Sequence, residues 1–511
     1  MTRNLRGFPL ACLILSLFFC LAHCNSCGSS NPPPPEESSN PGGSNTLPSV
    51  GGGSGPSGNN PSDFPTVMAI NFAAFPKDPG TCSGTRVYHV ATNGNDGNPG
   101  SQAQPFRTIV KALQTAGSGD AILVRGGNYS EGAVDDQGNP ADHRSLVLTQ
   151  SNFALCAVSE ETVTVSPRAG VFTYGMEITG NNVLVDGINL SGYPTSLIQL
   201  GTGTPLQNIL LKNMTLTASG NAGKDGIATY NSQVNGLLIS NVIVKNAFIG
   251  IQCNQGPCRN WRLDRVKVVN DPSQGDTGQD AIAIENGDNF LLSNVEVTGA
   301  AGDGLDFKGS NVAVFNANVH HNRRNGVKFW QGGDLVNSFV VNHGADAAVV
   351  FDHGGTYRIL NSLIAYENFG GTSYTLTAGY DQPNDPLNFS IINSVFFNNA
   401  GAIWVSPATQ VTLQNNLFTP TTSTQIFIKG NAMVSNGDLP TSLSQIGTAS
   451  GNLDFNSNPL FTNPASGDFT FPNNSPLRNA GVVPNLSPSY DYRGQPRVLG
   501  GSPDLGPLEL F

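Results

Sequence analysis

Three aspartates and a lysine stand where their types and spacing could do chemistry. Aligned by their apolar residues, the segments Ile282-Ala283-Ile284-Glu285, Leu305-Asp306-Phe307-Lys308, Val327-Lys328-Phe329-Trp330 and Val349-Val350-Phe351-Asp352 share one alternating pattern. Strand alternation then puts Ile284, Phe307, Phe329 and Phe351 on one face and Asp306, Lys308, Lys328, Trp330 and Asp352 on the other. Two residues ahead of these strands, Asp280, Asp303 and Asn325 make a second column. Asp280, Asp303 and Asp306 therefore converge within neighbouring coils. Carboxylates so concentrated repel one another unless a cation or a proton lies among them, and an all-oxygen site suits calcium better than zinc. The same aspartates also fit a plainer role, bonding local backbone in turns beside Gly304 or after Gly278.

One repeat beyond Asp306 stands Lys328, near Lys308, His320, His321, Arg323 and Arg324, in a chain with only 25 lysines and arginines. A lysine beside a divalent cation has its charged form disfavoured, which makes the neutral amine available as a base. The alternative is a solvated positive face in which Glu285 pairs Lys308. Trp330 reads equally as a sugar-stacking platform or as an exposed aromatic.

These residues need a scaffold that repeats. Aligning Leu211-Lys212-Asn213-Met214-Thr215, Ile239-Ser240-Asn241-Val242-Ile243 and Leu292-Ser293-Asn294-Val295-Glu296 places one asparagine at a fixed point, which recurs at Asn316, Asn337, Asn361, Asn393 and Asn415, with Asp264 standing in once. The closest steps run from 21 to 24 residues. Short alternating strands at that period exclude helical repeats, which follow a 3.6-residue rhythm, and the leucine consensus of leucine-rich repeats is absent. The pattern predicts an all-β fold, a single-stranded parallel β-helix of about 22-residue coils, with asparagines stacked from coil to coil. An open solenoid end invites pairing with other chains. Phe106 to Leu113 carries apolar residues at helical spacing and predicts an amphipathic helix that covers the N-terminal end.

Composition agrees. With 60 glycines and 34 prolines, turns dominate and long helices are few. A net charge of −11 argues against a general nucleic-acid binder. Arg3 and Arg6 followed by the apolar run Phe8 to Ala22 predict an export signal over residues 1–23. Leu21-Ala22-His23-Cys24 makes Cys24 a candidate lipidation site, and the Gly/Pro/Ser/Asn-rich stretch 24–65 reads as a disordered tether. Such a chain is exported, extracellular or at the cell surface, with an outer-membrane lipid anchor through Cys24 as the one membrane attachment. A monomer is expected. Cys253 and Cys258 enclose four residues, including Gly256-Pro257, and fit a short disulfide loop in an oxidising compartment.

Tyr88 to Gly97, Pro105 to Ile109 and Gly119 to Tyr129 closely resemble the N-terminal part of bacterial right-handed parallel β-helix proteins of the pectate-lyase-like superfamily. The runs Asn458-Pro459-Leu460-Phe461, Ser475-Pro476-Leu477 and Asp504 to Glu509 look like that group's closing segment. The resemblance implies a cap over 66–135, a right-handed β-helix over 136–457 and a closing segment over 458–511. Asp303-Gly304-Leu305-Asp306 and Asn325-Gly326-Val327-Lys328 are similar to the strings that carry calcium and base in family-9 polysaccharide lyases. By that similarity Asp280, Asp303 and Asp306 hold calcium and Lys328 is the base; the basic and aromatic residues around Lys328 then make Arg324 a second catalytic candidate and Arg323, Lys308, His321 and Trp330 candidate substrate-binding residues. The family has paired aspartates before the glycine, whereas here Gly302 precedes Asp303. The implied activity is calcium-assisted β-elimination on a uronate polymer. The alternatives are a non-catalytic, surface-tethered glycan binder and a polygalacturonase-like hydrolase, which Gly278-Gln279-Asp280 resembles but which would want an aspartate at Ala281.

Overall fold

A computed structural model of the chain describes residues 70–132, 144–168, 174–219, 225–270, 279–344, 347–367, 374–420, 425–483 and 488–510. The expected signal, the tether and Cys24 lie outside them.

Alternation of apolar and polar residues makes strands, and every coil spends its strands on three parallel sheets. In the coil that begins at Leu305, the strand Leu305–Phe315 serves the first sheet with its start and the second with its end, across a register break between Phe307 and Ser310. Asn318–His320 serves the third. Successive coils pair Ile284 with Phe307, Phe307 with Phe329 and Phe329 with Phe351 in the first sheet. All four side chains are buried. Phe307 and Phe329 have ring centroids 6.2 Å apart, and Phe329 and Phe351 5.8 Å, separations at which aromatic pairs gain beyond the area they bury. This inward ladder fixes which side chains of the same strands must face out.

The turn from the second sheet to the third needs one residue in the left-handed region, which asparagine tolerates better than other non-glycine residues. Asn294, Asn316 and Asn337 take φ of 56°, 50° and 58° there. The amide nitrogen of Asn316 donates to Asn294 Oδ1 at 3.2 Å, and that of Asn337 to Asn316 Oδ1 at 2.8 Å. The expected stand-in Asp264 is one residue off. Arg265 occupies the turn position with φ 52°, because Lys267 pairs with Glu296 and so sets Arg265 opposite Asn294. Asp264 still joins the ladder through its side chain, accepting from Asn294 Nδ2 at 3.2 Å. A second asparagine ladder, Asn152–Asn182–Asn208, runs beside the second sheet at 2.9 Å per step.

Near the N-terminal end, α1 (Ile109–Thr115) begins at Thr108, whose side chain accepts from Lys111 N, and it buries Ile109, Ala112 and Leu113. Glu131 accepts from Ile109 N at 2.8 Å and Val110 N at 3.1 Å, which satisfies two donors that a helix start leaves open. No helix among the described residues is long and apolar enough to cross a membrane.

Two straps run along the outside of the coil. The first starts at Ile70 and packs Phe72 and Phe75 on the outer face of the second sheet, against Leu291, Phe315, Val336 and Leu360. Asn71 and Asn289 exchange two hydrogen bonds. The strap then passes Lys212, which holds Asp78 at 2.8 Å, and ends in a disulfide between Cys82 and Cys156. The second strap covers the outer face of the third sheet, where Phe469, Phe471, Leu477, Tyr492 and Leu505 cover Phe339, Leu363, Val395 and Leu417. Its Arg497 is buried and donates to Gly506 O, Pro507 O and Asn337 Oδ1.

Candidate functional site

The outward column of the first sheet carries the chemistry. Asp306 lies directly beside Lys328 in the next coil, and Asp280 and Asp303 stand in the turn that feeds the same sheet. Each turn aspartate also holds the coil above it. Asp280 Oδ1 accepts from Asp303 N at 2.7 Å, and Asp303 Oδ1 accepts from Asn325 N at 3.0 Å and Asn325 Nδ2 at 2.9 Å. One ligand atom from each of Asp280, Asp303 and Asp306 lies within 4.8 Å of the others. Lys328 Nζ is 3.5 Å from Asp303 Oδ2 and 3.5 Å from Asp306 Oδ2. Lys308 Nζ is 2.5 Å from Glu285 Oε2 and 3.7 Å from Asp306 Oδ2, so the Glu285 pairing weighed as an alternative is formed.

The architecture has known relatives. Residues 257–418 match the family described as the right handed beta helix region, and residues 92–136 match a family described as a protein of unknown function (DUF1565). Pectate lyase L of Dickeya chrysanthemi is 25% identical over 450 residues, which cover 83% of this chain and 90% of that protein. Pectate lyase L of Paenibacillus polymyxa (strain SC2) is 25% identical over 371 residues, covering 67% and 74%. The fold is a right-handed parallel β-helix, and in sequence the chain is similar to pectate lyases. Among solved structures, pectate lyase Pel9A is 16% identical with a TM-score of 0.46, covering 84% of this chain and 97% of that one.

Burial and neighbouring charges set the electrostatics of the acidic cluster. Burial pushes the Asp306 carboxyl up to about 6, against the pull of Lys328 and Lys308. Burial, reinforced by the charge of Asp303, raises Asp280 as well. For Lys328 burial works downward, but Asp306, Asp303 and Asp280 outweigh it and hold the ammonium above its ordinary range. Asp306 Oδ1 is buried without a hydrogen-bond partner among the described residues. Three convergent carboxylates with one orphaned oxygen fit a hard divalent cation. Gly302 supplies no fourth ligand, and geometry gives the reason. A Cβ there would come within 2.4 Å of Asp280 Oδ1.

The remaining candidates divide. Arg323 N donates to Ala300 O at 2.8 Å and Arg324 N to Gly302 O at 3.2 Å, so their turn rests on the turn that carries Asp303. Both arginines are exposed. His321 packs instead on His320, with ring nitrogens 2.9 Å apart, and His320 faces Glu296. Trp330 is not an open platform: its ring stacks on His353 at 4.7 Å, and the ammonium groups of Lys308 and Lys328 lie 5.2 and 5.4 Å from its centroid.

Cys253 and Cys258 are bonded to each other. The Cys82–Cys156 bridge, 74 residues apart in sequence, was not foreseen and has no local signal. Nor was a group of three aromatics further along the same sheet, Tyr374, Tyr380 and Trp404. Strand pairing links Lys328 to Val350, Val350 to Thr377 and Thr377 to Trp404. Stepping the alignment through those pairs would have found Trp404.

Proposed function

We propose that this β-helix acts on an acidic polysaccharide and cleaves a uronate polymer by β-elimination, with calcium at Asp280, Asp303 and Asp306 and Lys328 as the base. The observation that carries the reading is a three-carboxylate cluster with a lysine amine 3.5 Å from two of its members, on an outward sheet face. Calcium there supplies neutralisation of a uronate carboxylate, which acidifies the proton on the neighbouring carbon. Lys328 takes the C5 proton. The C–H electron pair becomes the C4–C5 double bond, the C4–O bond breaks, and the expelled oxygen takes a proton from water. The carboxylates now hold Lys328 protonated; whatever offsets their charge leaves burial in control and frees the amine. Arg323 and Arg324, on the adjoining exposed turn, pair bidentately with neighbouring uronate groups. Export fits a polymer that cannot enter a cell, and the charged-then-apolar start of the chain supports it.

The test offers polygalacturonate, methylated pectin, alginate and glycosaminoglycans with and without calcium, and follows the ultraviolet absorbance of an unsaturated uronide. The lyase reading requires that signal, and requires Lys328→Ala and chelation each to abolish it with the fold intact. New reducing ends without unsaturation would point to hydrolysis.

One observation favours a second reading. Lys328 and Lys308 already offset part of the cluster's charge, an arrangement that serves a folded surface without turnover. Glycan binding without cleavage is the outcome that would select a surface-tethered binder.

A further inference from the structure

We propose that Tyr374, Tyr380 and Trp404 form a sugar-stacking subsite that receives a ring of the same polysaccharide several units away from the Asp–Lys cluster. The proposal rests on the acidic-polysaccharide reading and adds the direction in which the polymer lies.

The three rings form one group. Tyr380 and Trp404 have centroids 5.1 Å apart at 73°, Tyr374 and Tyr380 6.0 Å at 54°, and Tyr374 and Trp404 6.4 Å at 43°. Tyr380 is 53% exposed and Tyr374 and Trp404 are half-buried, so the group keeps ring surface at the boundary with water. The register places the group with respect to the cluster. Trp404 is in the outward column of Asp306 and Lys328, three pairings beyond Lys328. At about 4.8 Å per strand this is roughly 14 Å along the coil axis. Tyr374 precedes Leu376 as Asp303 precedes Leu305, so it continues the turn column of the aspartates. One straight face therefore runs from carboxylates and ammonium groups to aromatic rings.

The platform is also held in place. The loop after Tyr380 is pinned where Asp381 N and Gln382 N donate to the Asp352 carboxylate, each at 3.3 Å. Asp352 itself is buried. A pre-positioned ring loses little entropy on binding. Pyranose rings present C–H faces that pack on aromatic faces, while their carboxylates require cations. A uronate polymer laid along this sheet meets cationic groups at one end and aromatic faces at the other, and only a chain several sugars long reaches both.

The experiment uses the full chain and measures Kd by calorimetry for a galacturonate trisaccharide, a long oligogalacturonate, a matching pair of alginate oligomers and a neutral xylo-oligomer. Trp404→Ala should weaken the long acidic oligomer about tenfold, equivalent to roughly 1.4 kcal/mol, and leave the trisaccharide unchanged. Trp404→Phe should restore most of the loss. Melting temperatures of both variants should match the parent. Equal Kd values for the long oligomer in the parent and Trp404→Ala overturn the subsite and leave the acidic-polysaccharide reading standing. A parent that binds the neutral oligomer through Trp404 but no uronate keeps a sugar subsite and overturns that reading. A variant that melts earlier but binds as the parent does assigns the rings to packing and overturns the subsite.

Discussion

Lys328 and Gly302 pull the acidic cluster in opposite directions. The lysine supplies the charge that a cation would otherwise supply, and the glycine leaves open the space that a fourth ligand would need. If an ion sits among Asp280, Asp303 and Asp306, the ammonium 3.5 Å from two of them repels it. Lys328→Met should then tighten calcium binding by roughly tenfold or more, since unit charges about 4 Å apart near a protein surface interact by a few kcal/mol. Calorimetry that shows unchanged or weaker binding would place the ion elsewhere. Gly302→Ala should cost about 1–3 kcal/mol, because the new methyl collides with Asp280 Oδ1; a melting temperature equal to the parent's would show that Asp280 moves aside freely. The cluster was legible in the sequence because Ile284, Phe307, Phe329 and Phe351 recur at steps of 22 or 23 residues, and alternation does the rest. His321 stands outside the outward column of the first sheet: it follows the strand Asn318–His320 of the third sheet and packs on His320.

Strands and the helix obey the same inward-facing logic at the scale of elements. Phe329 touches ring neighbours in the coils before and after it, so Phe329→Ala should cost about 3–5 kcal/mol while Lys328, pointing outward, keeps its partners. Chemical denaturation of the variant is the measurement. The start of α1 leans on Glu131, whose carboxyl burial pushes up to about 7. A carboxyl raised in the folded state contributes stability fully below its unfolded pKa, near 4.5, and loses it as pH climbs through 7. The melting temperature of the parent should therefore fall relative to that of Glu131→Gln between pH 4.5 and 7, and a constant difference would sink the account. The asparagine turns were legible because one side chain serves both the backbone bend and the stack. Arg265 was missed because its turn position follows from pairing across coils, and its residue type gives no hint of left-handed backbone. Trp404 escaped because the coils beyond Phe351 lengthen: Val350, Thr377 and Trp404 are 27 residues apart at each step, and a fixed 22-residue template slips past them.

Across the whole molecule, the straps decide what the solenoid shows to water. Without the C-terminal strap, Phe339, Leu363, Val395 and Leu417 would make a continuous apolar face. A chain ending at residue 452 should bind a hydrophobic dye and self-associate, while its far-ultraviolet signal stays that of β structure. A monomeric, dye-silent product would show that the strap is dispensable. The N-terminal strap has a different consequence, one of time. Its Asn71 meets Asn289, 218 residues later in the chain, and Phe72 and Phe75 belong to one apolar cluster with Leu291, Phe315 and Val336. The first described residues to leave the ribosome thus have no surface to lie on until most of the coils have been synthesised and wound, and such remote contacts are slow to form. The Cys82–Cys156 bridge can close long before that, which leaves residues 70–81 as a free arm leashed at its far end. The segment made earliest is the last to come to rest, and until it does the outer face of the second sheet stays open to any passing chaperone or protease.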